Sequence, residues 1–324
     1  MALLPHFGLS TASSRSESSH RAKIVKDDAS ICRSPVETMR QHSPSTSEPD
    51  TNVTGAFCHV ALRLKPAEPG ECAEEVWSVD SEKGYITCAD SPDKKRIEAF
   101  KFDSVFEGSD NQLLYNIAVN DLVKECMEGV DATALAYGQT NSGKTFSMMG
   151  CEEQPGIIPQ AINDVFNYIR DQSDNREFLL RASYLEIYNE RIRDLLAPEQ
   201  KELRLSSSRT RLVCVSNLRE EIVTSPMQLM KLIKTGETNR SSSSTEVNEN
   251  SSRSHTIFQL TIESRSLSDA PEMLVLQSQL NLIDLAGSEK ATNDTDRRKE
   301  SSFINKSLLT LGIVIAKIIQ EVPY

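Results

Sequence analysis

The segment Gly138-Gln-Thr-Asn-Ser-Gly-Lys-Thr145 decides the fold of this chain. Its two glycines let the backbone N–H groups turn inward around a phosphate group. Lys144 would then reach the β- and γ-phosphates of a nucleotide, and the Thr145 hydroxyl would bind magnesium. The apolar run at 133–137 before it is typical of a buried strand. We therefore predict a phosphate loop at 138–145, between a strand and a helix; the alternative is a Gly/Ser turn with an incidental lysine.

Strand-like and helix-like patterns alternate along the rest of the chain. Alternating or continuous apolar runs predict strands at 57–64, 98–106, 177–188, 256–264 and 273–284. Apolar residues at helical spacing predict helices at 111–128, at 160–169, within 220–236 up to Gly236, and at 303–319. This alternation favours an α/β fold with a central, mainly parallel to mixed sheet and helices on both faces.

Composition excludes several classes of protein. The chain of 324 residues carries 36 Lys and Arg against 47 Asp and Glu, and its net charge of −11 argues against a dedicated nucleic-acid binder. No apolar run reaches the ~18 residues of a transmembrane helix, so we expect no membrane partner. The seven Cys include no Cys-x-x-Cys pair, which argues against a zinc ribbon or a disulfide framework. We expect a reduced, intracellular protein.

The first 54 residues differ from the rest. Eleven Ser occur in the first fifty positions, and the pairs Ser34-Pro35 and Ser43-Pro44 interrupt any regular pattern. Such a segment buries too little apolar surface to offset its ordering entropy. We predict a disordered tail at 1–54, followed by one folded domain at 55–324. An organelle presequence is the alternative, because the opening is Ser-rich and poor in acid, although it has no Arg before Arg15.

Two further segments are candidates for the rest of a nucleotide site. Asp284 ends an apolar strand and could bind magnesium through water, while Gly287 could offer its N–H to the γ-phosphate. A simple turn cap is the alternative role of Asp284. The second segment, Asn-Glu-Asn-Ser-Ser-Arg-Ser-His at 248–255, is by itself a polar Ser-rich loop.

Taken together, the motifs at 138–145, 248–255 and 284–289 resemble, in order and spacing, the three nucleotide motifs of a kinesin motor domain. The resemblance runs from about Phe57 to Tyr324. It includes Gly156-Ile-Ile-Pro159, Ser183-Tyr-Leu-Glu-Ile-Tyr-Asn-Glu190 and Ile304-Asn-Lys-Ser-Leu-Leu309. The segments 176–181 and 148–150 are most similar to the centromere-associated class of kinesins. The implied fold is a kinesin-like P-loop NTPase.

The resemblance assigns the residues that bind ATP. The first strand would place Arg63, Lys65 and Pro66 beside the adenine, with Phe146 stacking on it. Lys65 stands where the family has Arg. We expect a weaker contact with the adenine, because the Lys ammonium group can neither stack on a ring nor donate two parallel hydrogen bonds. The phosphates would be held by Gly138, Gln139, Thr140, Asn141, Ser142, Gly143, Lys144 and Thr145.

The resemblance also assigns magnesium and the catalytic water. Thr145, Ser252 (the second of the pair Ser251-Ser252) and Asp284 would lie at Mg²⁺. An ion pair of Arg253 and Glu289, closed only with ATP bound, would hold the water. The remaining two catalytic candidates are Asn305, which would help to position the water, and Gly287, which would move with the γ-phosphate.

The implied function is an ATP-dependent microtubule motor in the cytoplasm, at the cytoskeleton. Because microtubules are acidic, we expect a basic contact face despite the net charge. The candidates are Arg297-Arg298-Lys299 in the loop after Glu289, and Arg204, Arg209 and Arg211. Solvated charge runs are the alternative for both groups. A GTPase is disfavoured, because no NKxD-type segment occurs.

Some features depart from the family pattern. The loop at 290–296 has no Gly, and Ser301 stands where a Gly is frequent. The family continues beyond the position of Tyr324 with a helix, an interior strand of the sheet, a final helix and the neck linker. We therefore expect an open place in the sheet and no dimerisation region in this chain. A non-motile fragment that binds nucleotide or microtubules without productive ATPase activity is the alternative function.

Overall fold

The computed structural model describes residues 2–5, 58–66, 77–88, 98–199, 203–206, 214–242, 252–267, 275–289 and 295–319. The chain divides into one unit of Met1–Leu9 with Ala56–Tyr324 and a second unit, Ser10–Gly55. The second unit, which holds most of the predicted tail, lies outside the described residues. No helix in the described ranges is long and apolar enough to cross a membrane.

The strands are β1 (Ala2–Pro5), β2 (His59–Leu64), β3 (Trp77–Asp80), β4 (Tyr85–Cys88), β5 (Glu98–Lys101), β6 (Ser104–Glu107), β7 (Ala132–Ala136), β8 (Arg176–Tyr188), β9 (Arg191–Asp194), β10 (Arg204–Ser206), β11 (Cys214–Ser216), β12 (Glu221–Val223), β13 (His255–Ser266) and β14 (Val275–Asp284). The helices are α1 (Asn111–Ala118), α2 (Asn120–Met127), α3 (Lys144–Met148), α4 (Ile157–Asp171), α5 (Pro226–Ser242) and α6 (Thr295–Ile319).

The main sheet has the strand order β12-β8-β13-β14-β7-β1-β2-β6, with β9 also paired to β8. The pairs β14–β7 and β2–β6 are parallel, and the other pairs in this sheet are antiparallel. The mixed sheet predicted from the sequence is therefore confirmed. Two small sheets, β10-β11 and β3-β4-β5, complete the described strands.

Helices cover both faces of the sheet, as predicted. Side chains alternate between the faces along a strand, so Ala134 of β7 and Leu282 of β14 face one core, whereas Leu135 and Ile283 face another. The larger core includes residues of α1, α2, α4 and α5. The smaller core includes Leu308 and Ile318 of α6. The part of this second face around Ile187, Ile257 and Asn281 borders a cavity of about 450 Å³.

Strand β1 occupies an interior position in the sheet. It lies between β2 and β7 and is antiparallel to both, with Ala2 opposite Val60 and Leu135. For residues 2–5 the prediction of disorder and of an open place in the sheet is therefore wrong. The physical reason is that neighbouring strands with unpaired main-chain groups gain hydrogen bonds from any extended segment between them. Residues 6–57 lie outside the described ranges.

Two helices differ from their predicted bounds. Helix α5 continues through Gly236 to Ser242, because this glycine is not a cap: a Cβ there would clash with the Tyr184 ring. Helix α6 begins at Thr295, so the basic residues 297–299 lie on its first turns rather than in a loop. Their side chains are outside the described part of the chain.

Candidate nucleotide site

The phosphate loop follows directly from β7, and its glycines are required by its shape. Gly138 has φ 157°, and a Cβ on it would lie 2.5 Å from Ser142 Oγ. Gly143 has φ 90°, in the left-handed region that side chains disfavour. Asn141, with φ 65°, is also left-handed, a conformation that Asn tolerates better than most residues. The turn predicted at 138–145 is therefore built into the backbone.

Lys144 lies folded over this loop. Its Nζ donates to the Gln139 carbonyl oxygen at 2.8 Å. Partial burial lowers the pKa of Lys144, while the nearby carboxylates of Asp284 and Glu289 act to raise it. The ammonium group of Lys144 thus lies near the Gln139 carbonyl and two acidic side chains. From this position it can also bind a phosphate group.

Asp284 meets Thr145 where β14 and β7 end together. The parallel register sets Asp284 opposite Ala136, and the Thr145 hydroxyl donates to Asp284 Oδ2 at 2.5 Å. Asp284 is 7% exposed, and its Oδ1 is buried without a hydrogen-bond partner in the described part of the chain. Burial raises the pKa of Asp284. A hydroxyl beside a carboxylate with an unused buried oxygen is a donor set that fits Mg²⁺.

The segment at 284–289 packs against both Ser252 and the phosphate loop. Gly287 N–H donates to the Ser252 carbonyl at 2.7 Å, and Ser288 N–H donates to the Gly138 carbonyl at 3.1 Å. The N–H predicted to meet the γ-phosphate is therefore donated to Ser252 in this conformation. A Cβ on Gly287 would clash with the Thr140 hydroxyl and the Glu289 carboxylate, so a larger residue here would require these side chains to move.

Glu289 binds the phosphate loop rather than Arg253. Its carboxylate accepts from Thr140 N–H at 2.8 Å and from the Thr140 hydroxyl. Burial acts to raise the pKa of Glu289, but the hydrogen bonds from Thr140 and the charge of Lys144 bring it below its ordinary value. Among the described ion pairs, Arg253 and Glu289 do not form one. Their pairing with ATP bound remains a prediction.

The structure brings together Arg63 and Phe146, two of the residues predicted to contact the adenine, and that contact stays a prediction. The Arg63 guanidinium carbon lies 5.1 Å from the centre of the Phe146 ring. Arg63 Nη1 donates to Asn111 Oδ1 at 2.7 Å and to Ser147 Oγ at 2.9 Å. Lys65 and Pro66 follow the end of β2 and are exposed. Ser252 is half-buried, and Ser251 lies outside the described residues.

Sequence patterns missed the buried residue that orients this pair. Asn111 is 2% exposed, and its Nδ2 donates to the carbonyls of Phe146 at 3.0 Å and Gln154 at 3.2 Å. Asn111 thereby joins Arg63 to the backbone after the phosphate loop. Its position at the first turn of a predicted helix carried no signal for this role.

Helix α6 contacts the site through the neighbours of Asn305. Asn305 is half-buried, and within the described ranges no hydrogen bond of its side chain is found. Lys306 Nζ lies 3.3 Å from Glu190 Oε2, and Ser307 Oγ lies 2.8 Å from His255 Nε2. The predicted role of Asn305 therefore stays a prediction, while His255, which the sequence placed only as the end of a motif, contacts the helix.

The comparisons with known proteins identify the family. The Kinesin motor domain model matches residues 63–324. The chain is similar to kinesin-like protein KIN-7N of Arabidopsis thaliana, with 45% identity over 80% of the chain and 32% of the relative. It is also similar to KIN-7I of Oryza sativa subsp. japonica, with 44% identity over 80% of the chain and 22% of the relative. For the chloroplastic KIN-7L of Arabidopsis thaliana, the identity is 42% over 97% of the chain and 33% of the relative.

The chain thus spans a third or less of the length of these relatives. The match begins at residue 63, near the end of β2, and continues through α6. The chain belongs to the kinesin family.

Proposed function

We propose that this chain hydrolyses ATP and couples the hydrolysis to binding of, and movement along, microtubules. The observation that supports it best is the pairing of Thr145 with Asp284 beside the phosphate loop, with Asp284 Oδ1 left for a cation. Family membership supports the same activity, since the matched region is the motor domain.

The chemistry rests on positioning and charge. Lys144 and the N–H groups of the phosphate loop would bind the β- and γ-phosphates, and Arg63 with Phe146 would bind the adenine. Thr145, Ser252 and Asp284 would hold Mg²⁺, which when bound neutralises charge on the phosphates. Phosphoryl transfer needs no strongly basic side chain, so the buried carboxylate of Asp284 serves as a metal partner rather than a base.

Two contacts must change before hydrolysis. Gly287 N–H would leave the Ser252 carbonyl, and the Glu289 carboxylate would leave Thr140 for Arg253. Both changes lie in one six-residue segment, so the γ-phosphate can drive them together. Asn305 and the Arg253–Glu289 pair would then hold the attacking water.

The microtubule contact would use basic side chains on two elements. The residues 297–299 lie on the first turns of α6, and Arg204 is exposed on β10. Arg209 and Arg211 lie outside the described residues. Because α6 contacts Glu190 and His255 beside the nucleotide site, it is well placed to move when the bound nucleotide changes. We expect no nucleic-acid or membrane partner.

The names of the relatives favour a kinesin-7, which agrees with the expected centromere-associated class. We propose a location on cytoplasmic microtubules. The chloroplastic KIN-7L of Arabidopsis thaliana, which aligns with 97% of the chain, supports a presequence as a second candidate. A fluorescent fusion in leaf cells, with and without residues 1–54, separates the two: only a presequence sends the longer fusion to chloroplasts.

The test of the ATPase is hydrolysis with and without microtubules. We expect Lys144→Ala to lower hydrolysis at least ~100-fold, because the phosphates lose their cation. Lys124→Ala is the matched control, since Lys124 is exposed and, within the described ranges, pairs with Asp121 on the surface of α2. Hydrolysis that survives Lys144→Ala contradicts the assignment of the phosphate loop. Microtubule co-sedimentation without stimulated hydrolysis would favour the non-motile alternative.

A further inference from the structure

His255 joins three elements through one chain of hydrogen bonds. Ala286 N–H donates to His255 Nδ1 at 3.1 Å. His255 Nε2 lies 2.8 Å from Ser307 Oγ, and Ser307 Oγ donates to the Ile304 carbonyl at 2.8 Å. The ring is 7% exposed, at the start of β13. The chain of bonds therefore runs from the backbone beside Gly287 to helix α6.

The direction of every bond follows from the first one. An N–H donor at Nδ1 requires a lone pair there, so the neutral ring carries its proton on Nε2. Nε2–H must then donate to Ser307 Oγ, whose own proton is committed to Ile304. The ring thus holds Ala286 and Ser307 at a fixed separation, with no rotational freedom left in the hydroxyl.

Ala286 directly precedes Gly287, the residue that must move when the γ-phosphate binds. Gly287 N–H donates to the Ser252 carbonyl, and a shift of that N–H to another acceptor displaces the peptide group that bonds His255. Leu285 and Leu308 belong to one apolar cluster and keep the two elements packed, but apolar contacts slide without a preferred direction.

On the basis of the proposed function, we propose that His255 is a positioning residue that transmits displacement of Ala286 and Gly287 to Ser307 on helix α6. The imidazole acts through hydrogen bonds on both ring nitrogens, with Ala286 N–H and Ser307 Oγ. Glu190, Arg253 and Phe303 border the same small cavity of about 20 Å³ as His255 and Ser307.

Two variants cut the link at the same place. His255→Asn keeps an acceptor near the Nδ1 position but is too short to reach Ser307, and Ser307→Ala removes the acceptor from the other side. Thr310→Ala is the matched control, because the Thr310 hydroxyl also donates to a carbonyl within α6, that of Lys306 at 2.9 Å, without contacting His255.

The first measurement is amide hydrogen exchange of residues 304–312 in the 324-residue chain. We expect each cutting variant to speed exchange about three- to tenfold, the range for one lost hydrogen bond, with little change in Thr310→Ala. Exchange in the double variant should be no faster than in the faster single variant, because the two substitutions break the same hydrogen bond. Additive effects, or exchange equal to that of Thr310→Ala, would overturn the proposal.

The second measurement separates coupling from simple stabilisation. In Ser307→Ala we expect microtubule stimulation of kcat to fall about three- to tenfold, with the KM for ATP within about twofold of wild type. Unchanged microtubule stimulation in Ser307→Ala would overturn the proposal that His255 transmits the displacement to α6. A wild-type chain that hydrolyses no ATP refutes the proposed function, and the exchange experiment still decides whether His255 links the segments.

Discussion

The Thr145 hydroxyl donates to Asp284 Oδ2 at 2.5 Å, joining two residues that are 139 positions apart. The parallel register of β7 and β14 brings them together, because it sets Asp284 opposite Ala136 at the strand ends. A slip of one residue would turn Asp284 to the other face of the sheet. The geometry of the proposed magnesium site thus depends on strand pairing and on the phosphate loop together.

The first prediction concerns this pair. Asp284→Asn should raise the Mg²⁺ concentration needed for half-maximal ATP hydrolysis about 10–100-fold, since the metal loses a charged partner. The same variant should raise the melting temperature at neutral pH, because it removes a buried carboxylate whose pKa burial raises. Asp121→Asn, on the exposed face of α2, is the control. Unchanged Mg²⁺ dependence would contradict the assignment of Asp284.

The second prediction concerns Arg253 and Glu289. If they pair with ATP bound, Arg253→Ala and Glu289→Ala should each reduce hydrolysis about 100-fold while leaving nucleotide binding in place. The double variant should be no slower than the slower single variant, because residues that act as one unit are not additive. Single-turnover kinetics with a fluorescent ATP analogue measure both steps.

Arg219→Ala is the control for that experiment, since its side chain pairs with Glu221 away from the nucleotide site. Additive losses for Arg253 and Glu289 would show that the two side chains act separately.

The third prediction is a pH dependence of stability. Burial lowers the pKa of His255 to about 4 from 6.5, although Glu190 favours the protonated ring and Arg253 and Lys306 lie nearby. Because the pKa of His255 is lower in the folded than in the unfolded state, its contribution to the free energy of unfolding is fully present above pH ~6.5. This contribution is lost as the pH falls toward 4. Between pH 7.5 and 5.5 the loss from His255 should be about 1.4 kcal/mol.

Urea unfolding of wild type and His255→Asn at the two pH values measures this loss. The variant should lose less stability than wild type by about that amount, because the contributions of all other groups cancel in the comparison. Equal losses of unfolding free energy in wild type and variant would show that protonation of His255 does not destabilise the folded state.

The fourth prediction concerns β1. Leu3 lies opposite His59 of β2 and Ala134 of β7, so Leu3→Pro removes a main-chain donor from an interior strand. We expect the free energy of unfolding to fall by about 1–3 kcal/mol, and amides 132–135 to exchange faster. Leu3→Val keeps the N–H and should leave both nearly unchanged. If Leu3→Pro behaves like wild type, the sheet does not depend on this strand.

Several parts of the fold could be predicted because their signals are local. The alternation of apolar residues predicted β8 and β13 within two residues of their bounds. The predicted helix at 111–128 exists as two helices, because the backbone breaks at Val119 with φ −131° and ψ −31°. Nothing in the side chains signalled this break, since apolar spacing is unaffected by one irregular residue.

The sequence by itself determined the phosphate loop, since left-handed glycines, a lysine and a hydroxyl are needed within eight residues and the backbone there obeys local sterics. It also determined that Asp284 ends a strand. Only the tertiary structure decided that Asp284 meets Thr145, that Asn111 holds Arg63, that His255 bridges Ala286 and Ser307, and that Ala2–Pro5 enters the sheet. A side chain's type states which bonds it can make, whereas strand register and helix packing across distant positions select the partner.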